Sequence, residues 1–169
     1  MIAVKLAASA LVLGSCGGLA RRAQKPYTMR VAALDQWQKL IRHLLPLIGW
    51  QRIPLRVALA QASQGLSTLH RPMQSLAASL LSPDADFGAE WRRMLASIPG
   101  LWEEDRRALD DLGQTLGRSE AAHQEDQLNA ALAEVGRLLN EARAQKGQDG
   151  RLMPALVAAS GVLVVILLL

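Results

Sequence analysis

The chain has 169 residues, with 19 Lys+Arg against 15 Asp+Glu, a formal charge of +4 and a pI near 9.8. One cysteine excludes an internal disulfide framework and a cysteine-based structural zinc site. Half of the residues are hydrophobic but only six are Phe, Trp or Tyr, which argues against disorder, collagen-like repeats and an aromatic-rich β-sandwich.

The first element is an apolar run, Leu6–Ala20. A bilayer core of about 30 Å needs roughly 20 apolar residues in a helix. With Met1–Val4 and a snorkelling Lys5 the run reaches that length, so residues 1–20 are expected to form a transmembrane anchor. Ala10, Gly14 and Gly18 share one face of it as small-xxx-small, which permits close packing against another membrane helix. A basic juxtamembrane linker, residues 21–27, follows with Arg21, Arg22 and Lys25, and Arg30 lies just beyond. The alternative is export. Leu13-Gly14-Ser15-Cys16 is similar to a lipobox, which would acylate Cys16 and leave an extracytoplasmic helical domain. A nearly uncharged start and a strongly basic exit are the reverse of an export signal, so the retained anchor is the expectation.

From residue 28 to residue 148 the apolar residues keep a helical period, without strand alternation. Val31, Leu34, Trp37, Ile41, Leu44 and Ile48 predict a first helix that Pro46 kinks or ends. Leu55, Ala58, Leu59 and Ala62 predict a short second one behind Pro54. Leu69, Met73, Leu76 and Leu80 predict a third, which stops before Ser82-Pro83. Phe87, Trp91, Met94 and Ile98 predict a fourth, closed by Pro99-Gly100. Leu101, Leu109, Leu112 and Leu116 predict a fifth that ends around Gly117. Ser119 is a suitable N-cap for a sixth, with Leu128, Leu132, Val135, Leu139 and Ala142 on one face. The expected fold is therefore all-α, a compact bundle of about six helices. Lys146-Gly147-Gln148-Asp149-Gly150 suggests a hinge before the last run. Leu152–Leu169 is uncharged and is expected to be a second anchor, residues 152–169, with Ala155 and Ala159 offering a small-residue face.

The basic flanks set the orientation: Arg21, Arg22, Lys25 and Arg30 after the first run, Arg143, Lys146 and Arg151 before the second. Residues 28–148 are thereby expected in the cytoplasm. They hold 14 basic and 14 acidic residues, so the +4 excess is juxtamembrane. That charge fits attraction to anionic lipid, about 1 kcal/mol per basic residue near the surface, and removes the main support for nucleic-acid binding. Within the domain, residues 28–82 carry net +5 and residues 83–148 net −5.

No GxxxxGK[ST], HExxH, GxSxG or CxxC occurs. His43, His70 and His123 fall on different predicted segments without a second ligand at metal spacing. Trp102-Glu103-Glu104-Asp105 imitates a cation site, but acids in a first helical turn are expected from the helix dipole. Tyr27 and Trp37 suit an interfacial belt, and Trp37 equally a core. No enzyme activity, cofactor or metal is expected.

Leu112-Gly113-Gln114-Thr115-Leu116-Gly117-Arg118-Ser119 looks like the LGxxLGxS of stage III sporulation protein AB, followed by Gln124 at the expected spacing. Pro54-Leu55 and Ala58-Leu59 match the PLxxAL step, Trp50 stands where an aromatic is usual, and Phe87-Gly88-Ala89-Glu90-Trp91 is similar to an Ala-x-x-x-Trp segment. The chain resembles that family over nearly its whole length. It departs at Glu120, usually aspartate, and at Leu45 and Leu47, where glutamates are usual.

The resemblance implies a non-enzymatic platform component of the sporulation channel between mother cell and forespore. It implies a helical domain similar to the cytoplasmic domains of type II secretion and type IV pilus platform proteins. It places that domain in the mother-cell cytoplasm, in contact with other channel components including a secretion-type ATPase, and leaves room for a homo-oligomer. Read from the residues alone, Gly113 and Gly117 permit close helix approach and a tight exit before Ser119. A partner-binding role for the same motif stands beside that reading.

Overall fold

The computed structural model describes residues 24–82, 84–116 and 125–148 with their side chains, and only the helical backbone of 2–23, 117–118, 121–124 and 149–168. The described structure is all-helical, with six α-helices and no strand among the described residues. It divides into a folded unit, Met29–Glu141, and a terminal unit made of Met1–Thr28 and Ala142–Leu169.

In the terminal unit, helix α1 (Ile2–Leu45) passes through residues 21–27 without a break, so the expected linker is helical. Pro26 lies inside it and leaves one backbone hydrogen bond unmade. The Thr28 hydroxyl donates to the Gln24 carbonyl one turn back, at 3.2 Å. Helix α6 (Ala121–Leu168) likewise runs through Gly147 and Gly150. The expected hinge is absent from the backbone: an interior glycine costs a helix about 1 kcal/mol relative to alanine, too little to break one this long. Among the described residues no helix is long and apolar enough to cross a membrane. The expected anchors, 1–20 and 152–169, lie outside the residues described with side chains, as do Ala10, Gly14, Cys16, Gly18, Arg21, Arg22 and Arg151.

In the folded unit α1 ends at Leu45, because Pro46 has no amide to continue the ladder. Residues Pro46–Trp50 form one π-helical turn, closed by the Gln51 amide on the Pro46 carbonyl at 3.1 Å. The Ile53 amide then reaches the Leu47 carbonyl at 3.0 Å, and Arg52 between them takes a left-handed φ of 50°. Helix α2 (Leu55–Ala62) starts behind Pro54 and α3 (His70–Ser79) after the turn at Gly65. Helix α4 (Phe87–Ser97) is capped by Asp86, whose Oδ1 accepts from the Gly88 amide at 2.9 Å. Helix α5 (Glu103–Arg118) follows the turn at Gly100, which has φ +89°. Helix α2 packs on α3, α3 on α4 and α4 on α5.

The core is built from the expected stripes: Leu34, Trp37, Ile41 and Leu44; Leu59; Met73 and Leu76; Trp91, Met94 and Ile98; Leu109, Leu112 and Leu116; Leu128, Val135 and Leu139. Leu40, Leu95 and Leu138 are buried as well, whereas Val31, Leu55, Phe87 and Leu132 are only half-buried. The difference is one of stripe width. A helix enclosed by several neighbours buries more than the narrow seam a strict three-and-four step marks out.

Candidate functional site

The polar centre of the folded unit joins α1 to the start of α5. Arg30 and Asp105 are both buried, at 1% and 0% exposure. Arg30 Nε donates to Asp105 Oδ2 at 2.8 Å and Nη2 to Oδ1 at 2.6 Å, a bidentate pair. Asp105 Oδ2 also accepts the backbone amide of Trp102 at 2.9 Å, so the third residue of α5 caps its own helix. The Trp102 ring covers the guanidinium with its centroid 4.3 Å from Cζ. Glu104 adds a weaker attraction at 3.8 Å. The Asp105 hydrogen bonds hold Arg30 above the ordinary arginine pKa against the opposing effect of burial.

These contacts correct the expectation for Arg30. It is an interior cation and no part of the juxtamembrane charge, because residue 30 lies one turn before Leu34 on the buried stripe of a continuous helix. Asp105 is likewise more than a charge in a first turn: it is the counter-ion of that cation.

The described half of the glycine motif is a packing device. Leu112, Gly113 and Leu116 are all buried. A methyl group on Gly113 would lie 2.2 Å from Cδ1 and Nε1 of Trp91. The indole therefore rests directly on the α5 backbone, where its N–H donates to the Leu109 carbonyl at 2.8 Å. Trp91 meets Trp37 edge-on, with centroids 5.7 Å apart, and stacks on Phe87 at 5.6 Å. Trp37 is thus core. Gly117, Ser119 and Gln124 lie outside the residues described with side chains, so the expected cap and exit are not visible.

Two surface features remain. A groove of about 550 Å³ runs between α5 and α6, with Ala108, Leu112, Ala130 and Ala131 along it and Glu104, Asp111 and Glu134 on its rim. Arg137 at one side is held by Glu104, Glu134 and Glu141, which raises its pKa and holds Glu134 below the usual carboxylate range. The second feature is Trp50, 86% exposed at the end of the π-helical turn.

Of the expected orienting residues, Lys25 is exposed on α1 and Arg143 and Lys146 are exposed on α6, while Arg21, Arg22 and Arg151 lie outside the residues described with side chains. His43 bonds the Ala62 carbonyl through Nδ1 at 3.1 Å, and His70 is exposed. Among the described residues no three His, Cys, Asp or Glu side chains gather at metal-binding distance. Sequence reasoning missed the Arg30–Asp105 pair. The available signal was an arginine in register with the Leu34–Trp37–Ile41 stripe.

The family model for stage III sporulation protein AB matches residues 5–169. A search of curated proteins and a search of solved structures each returned no match.

Proposed function

The chain belongs to the stage III sporulation protein AB family and is a sporulation-related protein, and from that membership we propose that it is a non-enzymatic platform in the channel between mother cell and forespore. The observation that carries this reading is the extent of the family match, residues 5–169, which takes in both apolar ends and the helical unit between them. The proposed mechanism is positional. The two ends hold the chain in the mother-cell membrane, and the helical unit docks cytoplasmic partners, a secretion-type ATPase among them. A unit whose interior cation and anion are fully paired with each other suits a scaffold, since neither group is left to act on a substrate.

The test is co-purification of the full-length chain with that ATPase from sporulating cells. Capture in at least one nucleotide state is expected. Its absence in the apo, ATP-bound and ADP-bound states would overturn the docking role.

Leu13-Gly14-Ser15-Cys16 favours a second reading, a lipoprotein with its helical domain outside the cytoplasm. Mass spectrometry of the native protein separates the two. An intact N-terminal segment supports the platform; loss of residues 1–15 with a lipidated Cys16 supports the lipoprotein.

A further inference from the structure

Backbone and side-chain peculiarities coincide at residues 46–57. The chain makes a π-helical turn at Pro46–Trp50 and then places Arg52, a residue with a Cβ, at φ 50°. Isolated π turns are frequent at functional sites, and a left-handed non-glycine residue is strain that the surrounding structure has to hold in place. What that backbone presents is an outward Trp50 at 86% exposure, with exposed Arg52 and Arg56 and a 40%-exposed Val57 beside it in sequence. Among the described residues neither arginine has a carboxylate within 4.0 Å. Tryptophan and arginine are the residues that most often dominate binding energy at protein interfaces.

The complementary surface is on the same chain. The α5–α6 groove has an apolar floor at Ala108, Leu112 and Ala131. It is a shallow groove open to solvent, with a volume of about 550 Å³, enough for an indole to lie against its floor. Its rim is acidic, and its two arginines are already engaged, Arg107 by Glu103 and Arg137 by Glu104, Glu134 and Glu141. Asp111 on that rim is exposed and has no cation within 4.0 Å among the described residues. The wider charges agree, with net +5 over residues 28–82 against net −5 over residues 83–148.

We infer that copies of this chain associate head to tail: Trp50 of one copy enters the α5–α6 groove of the next, and Arg52 or Arg56 faces its Asp111. Such a contact is heterologous. Each copy contributes one knob and one groove, and the assembly grows into a ring or a filament unless an end is blocked. No other molecule is required to complete it.

The heterologous geometry supplies its own test on the full-length protein in a mild detergent, followed by sedimentation velocity at about 100 µM, well above a micromolar Kd. The wild type is expected to sediment as oligomers. Trp50→Ala, which removes the knob, and Asp111→Arg, which reverses the rim, are each expected to be monomeric with unchanged helical circular dichroism. Mixed together they are expected to give 1:1 dimers and nothing larger, because one functional knob and one functional groove remain. Arg52→Glu and Arg56→Glu together, combined with Asp111→Arg, are expected to restore oligomers, and failure to do so with the fold intact would overturn the charge contact. A monomeric wild type, or a mixture that stays monomeric, would overturn the proposal. So would a Trp50→Ala protein that keeps its oligomeric mass and instead loses binding to phosphatidylglycerol vesicles, which would assign the surface to lipid. Oligomers that Trp50→Ala leaves unchanged, with no effect on vesicles, would overturn it equally.

Discussion

Arg30 closes on Asp105, 75 residues further along the chain, through two hydrogen bonds with both side chains out of solvent. Removing two such charges from water is expensive, and their attraction repays it only when the geometry is good and the remaining polar atoms are satisfied. Both conditions are met: the carboxylate accepts three bonds, and the guanidinium lies under the Trp102 ring. The pair ties α1 to the first turn of α5 and sets one helix against the other.

Breaking the pair from one side is therefore expected to be severe. Asp105→Ala leaves Arg30 charged and buried, and the loss is expected to be about 3–5 kcal/mol by urea denaturation of the full-length protein. The double variant Arg30→Met, Asp105→Leu removes both charges. It is expected to be more stable than Asp105→Ala alone. A double variant as unstable as the sum of the two single changes would show that the pair contributes no coupling.

Gly113→Ala places a methyl group 2.2 Å from the Trp91 indole. Trp91 is fully buried and bonded to the Leu109 carbonyl, so it can give way only by losing that bond or moving α4. Overpacking of this kind costs about 1–3 kcal/mol. The expected reading is a lower midpoint in urea together with a shifted tryptophan emission. An unchanged spectrum would mean that the indole does not rest on α5.

Gly100 carries two constraints at once. It has φ +89°, and a Cβ there would lie 2.8 Å from the Met29 carbonyl. The left-handed region alone costs an L-residue about 1–2 kcal/mol. Gly100→Ala is therefore expected to destabilise the full-length protein by more than that, read as a lower midpoint in urea. A loss no larger than the dihedral cost would remove the Met29 contact from the account.

The Glu134–Arg137 hydrogen bond makes a small acid-dependent contribution. Glu134 is held below its ordinary pKa in the folded state by Arg137, so its stabilisation is complete above the unfolded carboxylate value and fades as pH falls through the folded one. Both side chains are nearly half-exposed, and solvent and salt reduce the effect further. Glu134→Gln is expected to lower stability slightly at neutral pH and to match the wild type in strong acid. A difference that persists undiminished in strong acid would assign the loss to packing.

The helices of the folded unit were legible one by one, and so was most of the core, because a helix records its buried face at three- and four-residue steps in its own sequence. Leu34, Trp37, Ile41 and Leu44 are an example, and all four are buried. Breaks were legible where proline made them, as at Pro46. One was misread where only glycine suggested it: α6 runs through Gly147 and Gly150.

By itself the sequence determined an all-helical chain, its core stripes and its family, since local period and a run of matched motif residues are properties of neighbours in the chain. Only the tertiary structure decided what Arg30, Asp105, Gly113 and Trp50 do, because each is defined by a partner, or by the lack of one, far away in sequence. An arginine near a basic flank and an aspartate in a first turn read as surface charge until the fold brings them within 2.6 Å of each other. Trp50 is set in solvent by the π-helical turn that ends on it, a turn that no local period in the sequence marks.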